Sequence, residues 1–122
     1  MFLNWQLDKG RPICPQICER ICVSIATGEL KPKEKLLSVR DLASETGVNP
    51  NTVQKAFQIL SFEGLLYSEP GSGWFVGEDV ALAEKKANDL YRSKVSAFFA
   101  EMASLGMSGE RLKEYVRRWD HE

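Results

Sequence analysis

Two helix boundaries separated by a single residue constrain this chain more than any other feature. In SVRDLASETGVNPNTVQKAFQIL, residues 38–60, Ser38 and Asp41 stand at the spacing of a capping box. There a hydroxyl and a carboxylate satisfy helix-initial N–H groups that have no partner inside the helix. Val39, Leu42 and Ala43 then face inward, and Gly47 ends the segment. Directly after Val48 a second helix opens. Asn49 is a favoured N-cap, and Pro50 at the first helical position costs no hydrogen bond. Val53, Ala56, Phe57 and Leu60 recur at the spacing of a buried face. At about 100° per residue, Asn51, Gln54, Lys55 and Gln58 fall on the opposite side. Two helices joined by so tight a turn predict a helix-turn-helix.

The flanking segments complete a small domain. ICPQICERICVSIATGEL reads as a preceding helix with Ile13, Ile17, Ile21 and Ile25 on one side and Gly28 just past its end. The connector ELKPKEK joins it to Ser38. After Gly64, residues 65–68 and 74–76 read as short strands around EPGSG, with Pro70 and Gly71 at the centre of a type II turn. A helix-turn-helix followed by a hairpin is a winged helix-turn-helix. From Asp79 the pattern changes to one long amphipathic helix through Ala83, Ala87, Tyr91, Val95, Phe98, Met102 and Leu105. Gly106 breaks it, and Ser108 starts a last helix with Leu112, Tyr115, Val116 and Trp119 on one side. The predicted fold is mostly α with a small β-hairpin wing: a winged helix-turn-helix over 1–78 and a two-helix hairpin over 79–122. That hairpin carries more large apolar groups than two helices can bury against each other, which predicts a partner.

Net charge tests a nucleic-acid reading severely. The 122-residue chain is formally −1 at pH 7. Neither part is basic: eight basic and eight acidic residues precede Glu78, and eight and nine follow from it onward. Any electrostatic attraction to DNA must come from a local patch, and Lys31, Lys33 and Lys35 in the connector, with Arg40 and Lys55, are its candidates. A solvated loop explains the three connector lysines equally well, since Glu29 and Glu34 interrupt them.

Other function classes find little support. No apolar run approaches the roughly 18 residues of a membrane span, and the start is polar, so a cytoplasmic protein is expected. Three cysteines, an odd number, fit a reducing compartment. Cys14, Cys18 and Cys22 share one helix and suggest a soft-metal or thiol sensor. On the helical wheel, however, Cys14 lies in the isoleucine stripe, Cys18 beside it and Cys22 at its edge. The first and third are about 12 Å apart, too far for one tetrahedral site. Packing is the expected role, with no metal and no cofactor. The single histidine, His121, is next to the C-terminus, and no nucleophile has a recognisable base. An enzyme is not expected.

The amide-rich helix start has a chemical use beyond capping. Asparagine and glutamine amides match adenine N6 and N7, and arginine matches guanine O6 and N7, each good pair contributing about 1–3 kcal/mol of discrimination. Arg40, Asn51, Gln54 and Lys55 are therefore candidate base readers, while Thr52 and the helix-initial N–H groups suit phosphate. Tyr91, Val95, Phe98, Phe99, Met102, Leu112, Tyr115, Val116 and Trp119 are the candidate dimer interface. A small-molecule effector would need a cavity closed by a second protomer.

The stretch GELKPKEKLLSVRDLASETGVNPNTVQKAFQILSFEGLLYSEPGSGWFV resembles the DNA-binding domain of GntR-family bacterial transcription regulators throughout residues 12–76. The short tail resembles that of the YtrA-type subfamily, in which such a tail dimerises the protein. The resemblance implies a homodimeric repressor on double-stranded DNA with a palindromic operator. It implies a major-groove role for Arg40, a place near the DNA backbone for Ser38, and contacts from Asn49, Asn51, Thr52, Gln54 and Lys55. It also implies a wing whose glycine, Gly71 or Gly73 around Ser72, lets the loop tip approach the minor groove. This chain departs from the pattern at Lys33, usually glycine, and at Leu37, usually proline. At the wing tip it has Glu69, Pro70 and Ser72 where relatives carry arginine or lysine, which shifts weight from wing to helix. The alternative is a protein-interaction module that has kept the scaffold and lost DNA binding. Neutral charge and Glu69 favour that reading; Arg40 and the Asn-Pro-Asn-Thr set oppose it.

Overall fold

The computed structural model describes residues 5–119. Five helices and one hairpin follow in the order α1 (Ile13–Ala26), α2 (Val39–Thr46), α3 (Pro50–Phe62), β1 (Leu66–Glu69), β2 (Gly73–Val76), α4 (Val80–Ser104) and α5 (Gly109–Trp119). Two compact units divide the chain, residues 1–87 and 88–122. The change of pattern at Asp79 marks the beginning of α4, but the unit boundary falls inside that helix. The reason is packing: Ala83, in the second turn of α4, joins the N-terminal core.

That core is built from the predicted stripes. Ile17, Ile21 and Ile25 of α1 meet Leu42 of α2 and Val53, Phe57 and Leu60 of α3, all buried. Complete burial of such a side chain contributes about 1.5–3 kcal/mol, so these seven dominate the unit. The helix starts follow the sequence signals, although of the expected capping box only the hydroxyl half forms among the described residues. The Ser38 hydroxyl accepts the Asp41 N–H at 3.0 Å, and the Asn49 side-chain oxygen accepts the Asn51 N–H at 2.8 Å. At the close of α2, Gly47 takes φ +71°, and the Val48 N–H donates to the Ala43 carbonyl at 3.1 Å. This left-handed glycine termination turns the chain directly into Asn49.

The hairpin is antiparallel, with Leu66 opposite Val76, Tyr67 opposite Phe75, Ser68 opposite Trp74 and Glu69 opposite Gly73. At its tip the Ser72 N–H donates to the Glu69 carbonyl at 2.9 Å, and Gly71 sits at φ +77°. The connector is not a loop beside it. Lys35 forms an antiparallel bridge with Phe75, so the connector is stitched to the edge of the two-stranded wing. The Lys33 and Leu36 N–H groups donate to the Val76 and Trp74 carbonyls at 2.8 and 2.9 Å, and the Val76 N–H returns one to Glu34 at 2.9 Å.

Before α1, the Gln16 side chain pins the incoming segment. Its oxygen accepts the Asp8 N–H at 2.8 Å, while its amide nitrogen donates to the Asp8 and Pro12 carbonyls at 2.8 and 3.0 Å. This buried amide is fully used in structure.

Candidate nucleic-acid interface

Caps and buried faces together orient the candidate base-reading side chains. Arg40 is the second residue of α2 and is exposed one position before the capped N–H of Asp41. In α3 the inward positions are Val53, Ala56, Phe57 and Leu60, each 0 or 1% exposed. The opposite side therefore faces solvent: Asn51, Lys55 and Gln58 are exposed, and Thr52 and Gln54 half-buried. No acidic residue lies in the first turn of α3, which leaves the partial positive charge of the helix start unopposed there. Asn49 is exposed, but its oxygen is engaged as the cap. Ser38 likewise holds the start of α2.

At the wing, Gly71 and Ser72 are exposed and Gly73 is half-buried. A Cβ at Gly71 would meet nothing within 4 Å, so the tip is open to close approach. The connector lysines separate. Lys33 forms an ion pair with Glu78 at 3.0 Å, which raises the lysine's pKa from its ordinary value. Lys31 lies near the end of α1, with its ammonium 3.6 Å from where a Cβ would stand on Gly28. Lys35 runs along the wing.

Among the described residues no cluster of three or more His, Cys, Asp or Glu could hold an ion. Cys18 donates to the Ala56 carbonyl at 3.7 Å and Cys22 to the Ala83 carbonyl at 3.5 Å. Burial pushes the Cys18 thiol up to about 12 and raises that of Cys22 as well. Their depth reverses the order read from the wheel: Cys22 is buried, while Cys14 and Cys18 are half-buried. The wheel knows only α1, whereas Cys22 is covered by the opening turns of α4. His121 lies outside the described residues.

The second unit has a different character. Every residue from 91 to 100 is exposed, including Tyr91, Val95, Phe98 and Phe99 on α4. On α5, Tyr115, Val116 and Trp119 are exposed too. Phe98, Met102, Tyr115, Val116 and Trp119 line an open apolar groove of about 310 Å³. Leu112 is a correction to the predicted interface: it is 1% exposed and already covered by its own chain, so it has no side chain left to offer a partner. No helix among the described residues is long and apolar enough to cross a membrane.

Residues 15–76 match the family described as "Bacterial regulatory proteins, gntR family". The chain belongs to the GntR family. It is 32% identical over 116 residues to the HTH-type transcriptional repressor YtrA of Bacillus subtilis, covering 92% of this chain and 88% of that one. A solved structure of a GntR family transcriptional regulator from Listeria monocytogenes superposes with a TM-score of 0.79 at 35% identity, over 92% of this chain and 98% of that chain. AraR(DBD), solved in complex with operator ORX1, matches 62% of this chain and 93% of its own at 32% identity, with a TM-score of 0.53. The chain is thus a DNA-binding transcription regulator with a winged helix-turn-helix followed by C-terminal helices, and not an enzyme.

For a GntR-type domain, two positions were missed by sequence reasoning. The pairing of Lys35 with the wing lay hidden in a charged, proline-containing connector. Gln16, a polar residue directly before the buried Ile17, carried a signal that could have been used: a buried amide must find partners.

Proposed function

We propose that this regulator is a repressor that binds a palindromic operator as a homodimer. The observation that carries the reading is the capped, polar start of α3. Asn51 and Lys55 are exposed and Gln54 half-buried, across the helix from four fully packed residues. Such a helix can enter a major groove with its amides presented to base edges. Arg40 and Lys55 supply charge and, with Asn51 and Gln54, base discrimination; Thr52 and the helix-initial N–H groups suit phosphate.

Pairing through the tail matches the other half of the reading. Tyr91, Val95, Phe98, Phe99, Met102, Tyr115, Val116 and Trp119 supply an apolar surface, and exposed apolar surface of this kind marks an association site. A two-fold dimer presents two α3 helices to half-sites about one helical turn apart. The name of YtrA as a repressor supports the direction of regulation.

The test is binding to duplexes enriched from a randomised library by the full chain, compared with the same duplexes after scrambling one half-site. Preference for the intact palindrome is expected, with Arg40→Ala losing about fivefold or more on that duplex, equal to the low end of one base contact. Equal affinity for intact and scrambled duplexes would reject the palindromic reading.

A further inference from the structure

We infer that Lys35 is the wing's contact to the DNA backbone, supplied by the connector because the hairpin has no basic residue of its own. This rests on the DNA-binding reading above. Between residues 66 and 76 the one charged side chain is Glu69, so an isolated hairpin would bring only negative charge to a phosphate.

Lys35 alters that balance through its register. It is opposite Phe75, and Phe75 is opposite Tyr67. Directly opposed residues of antiparallel strands project to one face, and so does the residue two positions along. Lys35, Tyr67, Phe75 and Gly73 therefore share a face, together with Glu69, the partner of Gly73. On that face Tyr67 and Phe75 stack at 5.5 Å, and the lysine stem reaches toward the turn. Its Cε lies 3.3 Å from where a Cβ would stand on Gly73. The ammonium, one bond further, is thus carried to the base of the tip loop. It offsets Glu69 and adds a donor beside a loop whose Gly71 leaves open space.

Position along the chain agrees. Lys35 precedes Arg40 by five residues, a span of at most about 17 Å, roughly half of the 34 Å turn of a duplex. One DNA face can meet both. The other connector lysines are directed elsewhere, Lys33 to Glu78 and Lys31 toward Gly28. A plain alternative is that Lys35 is a solvated charge that blunts a strand edge, in which case DNA would not sense its loss.

The experiment compares the full chain with Lys35→Ala, Lys35→Gln and Lys35→Arg on the library-selected duplex and a scrambled one, across 50–200 mM salt. Arg40→Ala runs in parallel. Loss of one phosphate contact lowers the slope of log K against log salt by about 0.9. The Ala and Gln variants should show that drop, with affinity reduced several-fold by the same factor on both duplexes, and Arg should restore it. Gln keeps most of the stem over Gly73 and guards against a folding defect in Ala. Wild-type affinity and slope in both neutral variants, while Arg40→Ala loses the selected duplex, would overturn the assignment of Lys35 and leave DNA reading intact. Failure of the wild-type chain to bind or enrich any duplex would overturn both.

Discussion

Lys33 sits at φ +68°, a left-handed conformation that costs a residue with a Cβ about 1–2 kcal/mol. Its exposed ion pair with Glu78 offsets little of this, because solvent screens such a pair. Lys33→Gly and Lys33→Ala both remove the pair, but only glycine removes the strain, at the expense of a more flexible unfolded chain. The glycine variant should be more stable than the alanine variant by about 0.5–1 kcal/mol in urea unfolding. Equal stability would show that the dihedral carries no strain. Cys18 gives a second test at this scale. Its native thiol ionises near 12 rather than about 9, chiefly through burial. Between those values the unfolded chain releases a proton that the folded chain keeps, so stability from this group is present below pH 9 and declines as pH rises above it. Thermal midpoints should fall from pH 8.5 to 10.5, and by less in Cys18→Ala. An identical fall in both proteins would assign the effect to other groups.

Local elements were legible where local chemistry decides them. Ser38, Asn49 and Pro50 declared two helix starts because caps act within one turn, and Gly47 declared the stop between them. Buried faces followed from the period of Val53, Ala56, Phe57 and Leu60. The bridge between Lys35 and Phe75 was hidden because pairing of a single residue leaves no alternation to read. Cys22 was misplaced because its cover comes from Ala83, distant in sequence. Among the candidate contacts, Asn49 has a structural duty that can be measured apart from DNA. Asn49→Ala should cost about 1 kcal/mol of stability through loss of the cap, whereas Asn49→Asp keeps an accepting oxygen and should cost only a few tenths. On DNA the ranking changes, because the new carboxylate repels phosphate and Asp should bind more weakly than wild type. Unfolding curves and duplex titrations of the same two variants separate the duties; an Ala variant as stable as wild type would mean the cap contributes nothing.

The tail's exposed surface belongs to the scale of the proposed dimer. Val95 is 54% exposed and Trp119 63%, in helices where burial within one chain is already complete for Leu112. Removing apolar area forfeits about 25 cal/mol per Å², and introducing a charge adds a desolvation penalty. Val95→Asp combined with Phe99→Ser should shift sedimentation toward a monomer. It should also lower affinity for the palindromic duplex at least tenfold, while hydrogen-bonded features of the first unit, such as the Ser38 and Asn49 caps, persist. A dimer undisturbed by both changes would place the association elsewhere. The sequence announced this surface as an excess of apolar residues over α4 and α5. Within the first unit, the stitching of residues 33–36 to β2 has a mechanical outcome. Pressure on the hairpin tip is delivered to the strand that runs into α2 through short N–H···O links, without slack. A displaced tip would therefore tug on the stretch just ahead of Ser38, tying the hairpin to the opening of α2.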